Sequence, residues 1–93
     1  MILHYMEGAP SVIKLHEVVH DPQGDAYALV MQLVPGGPLN TTTLPNEEVM
    51  RSYMRQVLEA LEHAHSRGIM HRDVKKGNIL VEERTGRVWL IDW

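Results

Sequence analysis

Between residues 71 and 80 the chain reads HRDVKKGNIL, which sets Asp73, Lys75, Lys76 and Asn78 between apolar flanks. A carboxylate, an ammonium two positions on and a carboxamide five positions on are groups that phosphoryl transfer from a nucleotide asks of a protein. The carboxylate orients the acceptor hydroxyl, the cation meets the terminal phosphate, and amide and carboxylate oxygens hold magnesium. Here those groups are Asp73, Lys75 and Asn78. A second carboxylate, Asp92, ends a later apolar strand, and a hairpin with the strand leaving the loop would return it beside Asn78.

The elements that must position these groups are legible around them. Apolar pieces at 79–81 and 88–91 flank the polar EERTGR, with Gly86, and predict a small hairpin. Ahead of the loop a helix is predicted from residue 45 or 46 to 67. Glu47 and Glu48 lie in its first turn and Gly68 stands at its end. Val49, Tyr53, Met54, Val57, Leu58, Leu61 and Ala64 keep the 3, 4 spacing of one buried stripe. Further upstream, Ile2, Leu3 and Met6 have helical spacing before Gly8, and residues 12–19 and 26–34 predict two strands. These are joined by HDPQGD, whose Pro22 and Gly24 suit a hairpin loop. PGGPLNTTTLP, residues 35–45, has a composition that resists both helix and sheet and reads as a hinge or linker.

Composition narrows the function classes. The chain has 93 residues and a net charge of −3, with 9 basic and 12 acidic residues and no basic run, so it offers no electrostatic footprint for nucleic acid. It has no cysteine, which excludes disulfides and thiolate metal sites. The longest apolar run, 26–31, is too short to span a bilayer, and MILHYMEGAP is not a signal peptide; a soluble protein of the cytoplasm or nucleus is expected. Asn40-Thr41-Thr42 matches a glycosylation acceptor only by coincidence on that reading. Glu59 with His63, or Glu62 with His65, has chelating spacing, but one long helix lacks the facing carboxylates a di-metal site needs. His71 reads as packed and hydrogen-bonded, and Met50 and Met54 as core fillers.

HSRGIMHRDVKKGNILV, the helix before it and the apolar strand ending in Asp92 together resemble the catalytic region of eukaryotic protein kinases. Lys75, two residues after the Asp, resembles the serine/threonine class. Within that class, GIMHRDVK and LIDW, with Trp93 where most kinases carry Phe, look like the casein kinase II catalytic subunits. ILHYMEGAPSVIKLHEVVHDP and ALVM extend the similarity over nearly the whole chain apart from the linker. Lys76 and Gly77 depart from the residues usual in those subunits, and the linker is shorter than the family's helix there.

The resemblance implies an α+β, protein-kinase-like fold fragment. Residues 1–34 would belong to the small lobe, 35–45 to the hinge, and 46–93 to the large lobe with its catalytic loop. It implies ATP and Mg2+ as cofactors, with Asp73 as catalytic base, Lys75 as phosphate ligand, and Asn78 and Asp92 as magnesium ligands. Met31 would guard the back of the nucleotide pocket, the backbone of Gln32, Leu33 and Val34 would bond the adenine edge, and Leu80 and Ile91 would be apolar walls. Leu3, Leu15, His71 and Trp93 would stack as a spine between the lobes, and Arg72 would reach toward the activation segment.

On the same alignment the glycine-rich loop and strand lysine fall before residue 1, and the peptide-binding half falls after residue 93. An incomplete domain is therefore expected, transferring phosphate slowly or not at all in isolation. Side chains such as Tyr53, Val57, Leu58 and Leu61 would be partly wet, giving a marginal, association-prone monomer. Two alternatives stand beside catalysis. One is a non-catalytic module that docks a casein kinase II regulatory subunit through Val19 and Val30; the other is the product of a truncated reading frame. Protein substrates, and neither nucleic acid nor membrane, are the expected partners.

Overall fold

The computed structural model describes residues 5–39 and 46–93. Its central element is helix α1, Glu47–Ser66. The Asn46 side chain accepts the Val49 N–H at 2.9 Å, and Glu47 and Glu48 follow in the first turn, where carboxylates complement the helix dipole. At the other end the N–H groups of Gly68 and Ile69 donate to the carbonyls of His65 and Ala64. Gly68 has φ +74°, so this is a Schellman closure that a residue with a Cβ would strain.

Tyr53, Val57, Ala60 and Ala64 form the buried stripe of α1. Val49, Met50 and Leu61 pack at its edge. Two expectations are corrected here. Met54 and Leu58 lie outside the stripe, 41% and 60% exposed, because they project one step round the helix from the residues facing the sheet. Conversely Tyr53 and Val57, expected partly wet, are only 5% and 1% exposed. The partner that covers them is the hairpin from the catalytic stretch.

That hairpin pairs β4, Ile79–Glu82, with β5, Arg87–Leu90, in antiparallel register from Ile79↔Leu90 to Glu82↔Arg87. Ile79, Val81, Val88, Trp89 and Leu90 are all buried, so the period-2 alternation of a half-exposed strand is lost in β5. One face of the hairpin packs on α1, while the Arg87 guanidinium lies over the Trp89 ring at 5.1 Å. Gln56 locks the pair in place: its Oε1 accepts the Val88 N–H at 2.9 Å and its Nε2 donates to the Gly86 carbonyl at 2.8 Å.

A further correction concerns the linker. Gly37 and Pro38, in a segment expected to resist sheet, form strand β3, which pairs with Val81 and Leu80; beyond it the Leu39 N–H donates to Ile79. Proline is tolerated because β3 is an edge strand whose missing N–H faces no partner. Gly36 sits so close to the Val81 carbonyl that any Cβ would collide with it. Residues 40–45, with the remainder of the linker and the Asn40 acceptor motif, lie outside the described residues.

The upstream part consists of a turn through Gly8, φ +80°, then strands β1, Leu15–His20, and β2, Tyr27–Met31. They pair antiparallel as a two-stranded sheet with an irregularity between Leu15 and Glu17. Both are shorter than expected. Val12 is drawn into the core with Met6, and past the end of β2 the Gln32 N–H still donates to the Lys14 carbonyl while the Gln32 side chain, in place of its carbonyl, accepts the Lys14 N–H. Besides the packing of Met6 and Val12, hydrogen bonds fasten this part to the rest. Leu90 N–H donates to Ser11 at 2.9 Å, and the Arg67 guanidinium donates to the carbonyls of Tyr5 and Glu7 at 2.8 and 3.1 Å. Among the described residues no helix is long and apolar enough to cross a membrane.

Candidate active site

The loop between α1 and β4 is organised around a buried imidazole. His71 is 7% exposed, and its Nδ1 accepts the Asp73 N–H at 3.1 Å while Nε2 faces the Ile91 carbonyl at 2.7 Å. Because Nδ1 accepts, the ring proton sits on Nε2 and is donated to Ile91; the tautomer follows from its two neighbours. The Trp93 ring meets the imidazole edge-on, 4.6 Å between centroids, and is itself held by its Nε1 donating to Leu90 at 2.8 Å. Of the expected spine, His71 and Trp93 are therefore in contact. Leu15 lies in β1, and Leu3 lies outside the described residues.

Asn78, 4% exposed, closes the loop from the other side. A short 3-10 turn over Lys76–Asn78, with Asn78 N–H donating to Lys75, aims its side chain back at Asp73. Nδ2 donates to the Asp73 carbonyl at 2.9 Å and to its Oδ2 at 3.2 Å. The flipped amide would set oxygen against two acceptors, so its orientation is determined, leaving Oδ1 as the atom suited to a cation. The Lys75 ammonium stands 3.6 Å from the same Oδ2, with both side chains 61% exposed. In that much water the pair contributes little to stability, and the lysine is available to a stronger anion.

Asp92 arrives through the backbone. Ile91 N–H donates to the Asn78 carbonyl at 2.8 Å, extending the β4–β5 ladder one step past Ile79↔Leu90. The next residue, Asp92, is exposed and adopts φ +60°, and Arg72 on the other side of the loop adopts φ +72°. Two non-glycine residues in the left-handed region beside one loop mark a backbone held by its surroundings.

The residues expected to receive a base are less gathered. Met31 ends β2, 43% exposed, and Leu33 is 89% exposed. The Gln32 N–H is engaged by the Lys14 carbonyl at 2.8 Å, and its Oε1 accepts the Lys14 N–H at 3.2 Å. Val34, Leu80 and Ile91 are half-buried, and Leu80 pairs with Pro38 and Trp89 across the sheet. One cleft, about 590 Å³, runs along residues between Met6 and Val18, and another, about 840 Å³, lies between the 35–39 segment and Val81–Arg84; neither is lined by the loop.

Gln56 and Gly36 fix the hairpin beside this site and Arg67 ties the end of α1 to the upstream part; none of the three was recognised from sequence. The one available signal was Gln56, a polar residue bordering the apolar stripe of a helix.

A helix that presents a buried hairpin, and a loop that turns a carboxylate, an amide and an ammonium toward one point, make up this site. The whole chain, residues 1–93, matches the protein kinase domain family model, and the chain belongs to that family. It is by class a kinase, a nucleotide-binding transferase whose acceptors are proteins. The donor set fits the family's cation. An amide oxygen and a carboxylate are hard oxygen ligands of the kind magnesium takes, in small number, alongside phosphate oxygens.

Proposed function

We propose that this chain carries the phosphoryl-transfer loop of a serine/threonine protein kinase of the casein kinase II type, using ATP with Mg2+. Asp73 orients and deprotonates the acceptor hydroxyl, Lys75 contacts the transferred phosphoryl group, and Asn78 and Asp92 hold the metal, which supplies charge neutralisation on the phosphates when bound. Met31, the 32–34 backbone, Leu80 and Ile91 receive the base. The carrying observation is the double hydrogen bond from the buried Asn78 to the exposed Asp73, which ties a proposed metal ligand to the proposed base within one short turn. The serine/threonine reading is supported by Lys75 standing two residues after Asp73, and the casein kinase II reading by Trp93 following Asp92.

The test is ATP titration of the chain with and without Mg2+, followed by Trp93 fluorescence and amide NMR shifts, with transfer measured to acidic serine and tyrosine peptides. Magnesium-dependent shifts at Lys75, Asn78 and Asp92, reduced by Asn78→Ala and Asp92→Ala, are expected; any transfer should favour serine and vanish in Asp73→Ala. Binding indifferent to magnesium and to all these substitutions would overturn the assignment.

A second reading has its own observation. Val19 and Val30 lie on one face of the β1–β2 sheet, 44% and 42% exposed, where a regulatory subunit would dock. Titration with that subunit, which should broaden the Val19 and Val30 methyl resonances, decides it.

A further inference from the structure

Strand β5 is the edge of its sheet among the described residues, with β4 on its inner side. Just past its end the Ile91 N–H turns inward to the Asn78 carbonyl, so by the alternation of an antiparallel ladder the N–H groups of Leu90 and Val88 point to the outer side. Both residues are buried, where an unmet N–H is costly. Two acceptors that belong to no strand meet them. The Ser11 carbonyl takes the Leu90 N–H at 2.9 Å, and Gln56 Oε1 takes the Val88 N–H at 2.9 Å. Gln56 Nε2 also donates to the Gly86 carbonyl at 2.8 Å, so one side-chain amide grips the edge of β5 as a neighbouring strand would.

The loop that carries Asp73 and Lys75 hangs between two supports, the end of α1 at Ser66 and the start of β4 at Ile79. Apolar packing holds the hairpin on α1 without direction and resists separation better than sliding. The two bonds of Gln56 are directional and fix the slide. From Val88 a strand rising about 3.4 Å per residue reaches Ile91 roughly 10 Å on. There the Ile91 N–H and carbonyl engage the Asn78 carbonyl and the His71 ring, and Asp92 follows. A slide of β5 along α1 therefore passes to Asn78 and Asp92 together.

We propose that Gln56 is a positioning residue for this end of the hairpin. Acting through β5, its amide sets where Asn78 and Asp92 stand against the Asp73 loop. What this does for a cation rests on the reading of Asn78 and Asp92 as magnesium ligands; the positioning itself does not.

The experiment compares the wild-type chain with Gln56→Leu, Gln56→Glu and Asn46→Ala. The last removes the α1 cap and weakens the helix without touching the hairpin, so it reports what lost stability alone does. Without metal, amide shifts and hydrogen exchange at Ile91 and Asp92 should change in Gln56→Leu, change less in Gln56→Glu, which keeps the acceptor for Val88, and stay as in wild type in Asn46→Ala. With ATP present, titration with Mg2+ followed at the Asn78 and Asp92 amides should show affinity about tenfold weaker in Gln56→Leu, the scale of lost outer-shell support, and nearly restored in Gln56→Glu. Should Gln56→Leu not fold, the comparison of Gln56→Glu with Asn46→Ala decides by the same signals. Ile91 and Asp92 responding alike to the Gln56 and Asn46 changes, or to neither, would overturn the proposal. A wild-type chain whose amides ignore Mg2+ would instead overturn the ligand reading, with the metal-free comparison still deciding the positioning.

Discussion

The imidazole of His71 and the carbonyl of Ile91 meet at 2.7 Å, joining the residue two before Asp73 to the residue just before Asp92. Twenty positions separate them in the chain. This bond and that from Ile91 N–H to the Asn78 carbonyl clasp the loop and the β5 extension at two points. The two acidic residues thus leave a common buried anchor.

Replacing that anchor should loosen both sides. His71→Ala leaves the Ile91 carbonyl and the Asp73 N–H without their partners and removes the ring against Trp93, so urea denaturation should show a loss of about 2–3 kcal/mol. Hydrogen exchange at the Asp73 amide should accelerate. Unchanged stability would mean that water replaces the ring without cost.

At Asn78 the identity of the substituent distinguishes two effects. Asn78→Ala deletes both bonds to Asp73 and should cost about 1–3 kcal/mol. Asn78→Asp keeps the volume but sets one carboxylate against another, and should be at least as damaging at neutral pH. Thermal melts of the two proteins, compared side by side, give the order.

Gln56 holds the hairpin through both ends of its amide. Gln56→Leu strands the buried Val88 N–H and should destabilise by about 1–3 kcal/mol. Gln56→Glu retains the acceptor for Val88 but sets an oxygen against the Gly86 carbonyl, a repulsion the half-buried side chain relieves by turning to water, so its penalty should be smaller. Denaturant midpoints of the pair, with exchange rates at Val88, check the ranking.

Gly36 and Gly68 fail for different reasons. Gly36→Ala drives a methyl into the Val81 carbonyl, and β3 must move away at a cost of about 1–3 kcal/mol; the Leu39 amide should lose exchange protection. Gly68→Ala meets open space but carries φ +74°, so its penalty of about 1 kcal/mol comes from backbone strain alone, with β3 unaffected.

Removing the N-cap is a local test. Asn46→Ala should lower stability by about 1 kcal/mol and reduce protection of the Val49 amide, leaving the Asp73 loop unchanged in NMR shifts.

Helix α1 was readable because its caps and period are local: Asn46, the acidic first turn and Gly68 sit within one turn of its ends. The β4–β5 hairpin was readable for the same reason, as was the clustering of Asp73, Lys75 and Asn78, which six residues of chain hold together. The buried face of α1 was readable through Val49, Tyr53, Val57, Leu61 and Ala64, but its edge was not. Met54 and Leu58 are as apolar as Tyr53 and Val57, and only the position of the hairpin across the helix separates wet from dry. The pairing of Gly37 and Pro38 was hidden too, since composition speaks of intrinsic preference and an edge strand needs little of it.

Chain order alone determined the inventory of reactive groups, their local spacing and the helix and hairpin that carry them, because these depend on contacts between near neighbours. Tertiary structure decided the clasp between His71 and Ile91, the pairing of Leu39 with Ile79 and the role of Gln56. Each rests on a hydrogen bond between residues thirteen or more positions apart, and no local preference specifies such a partner.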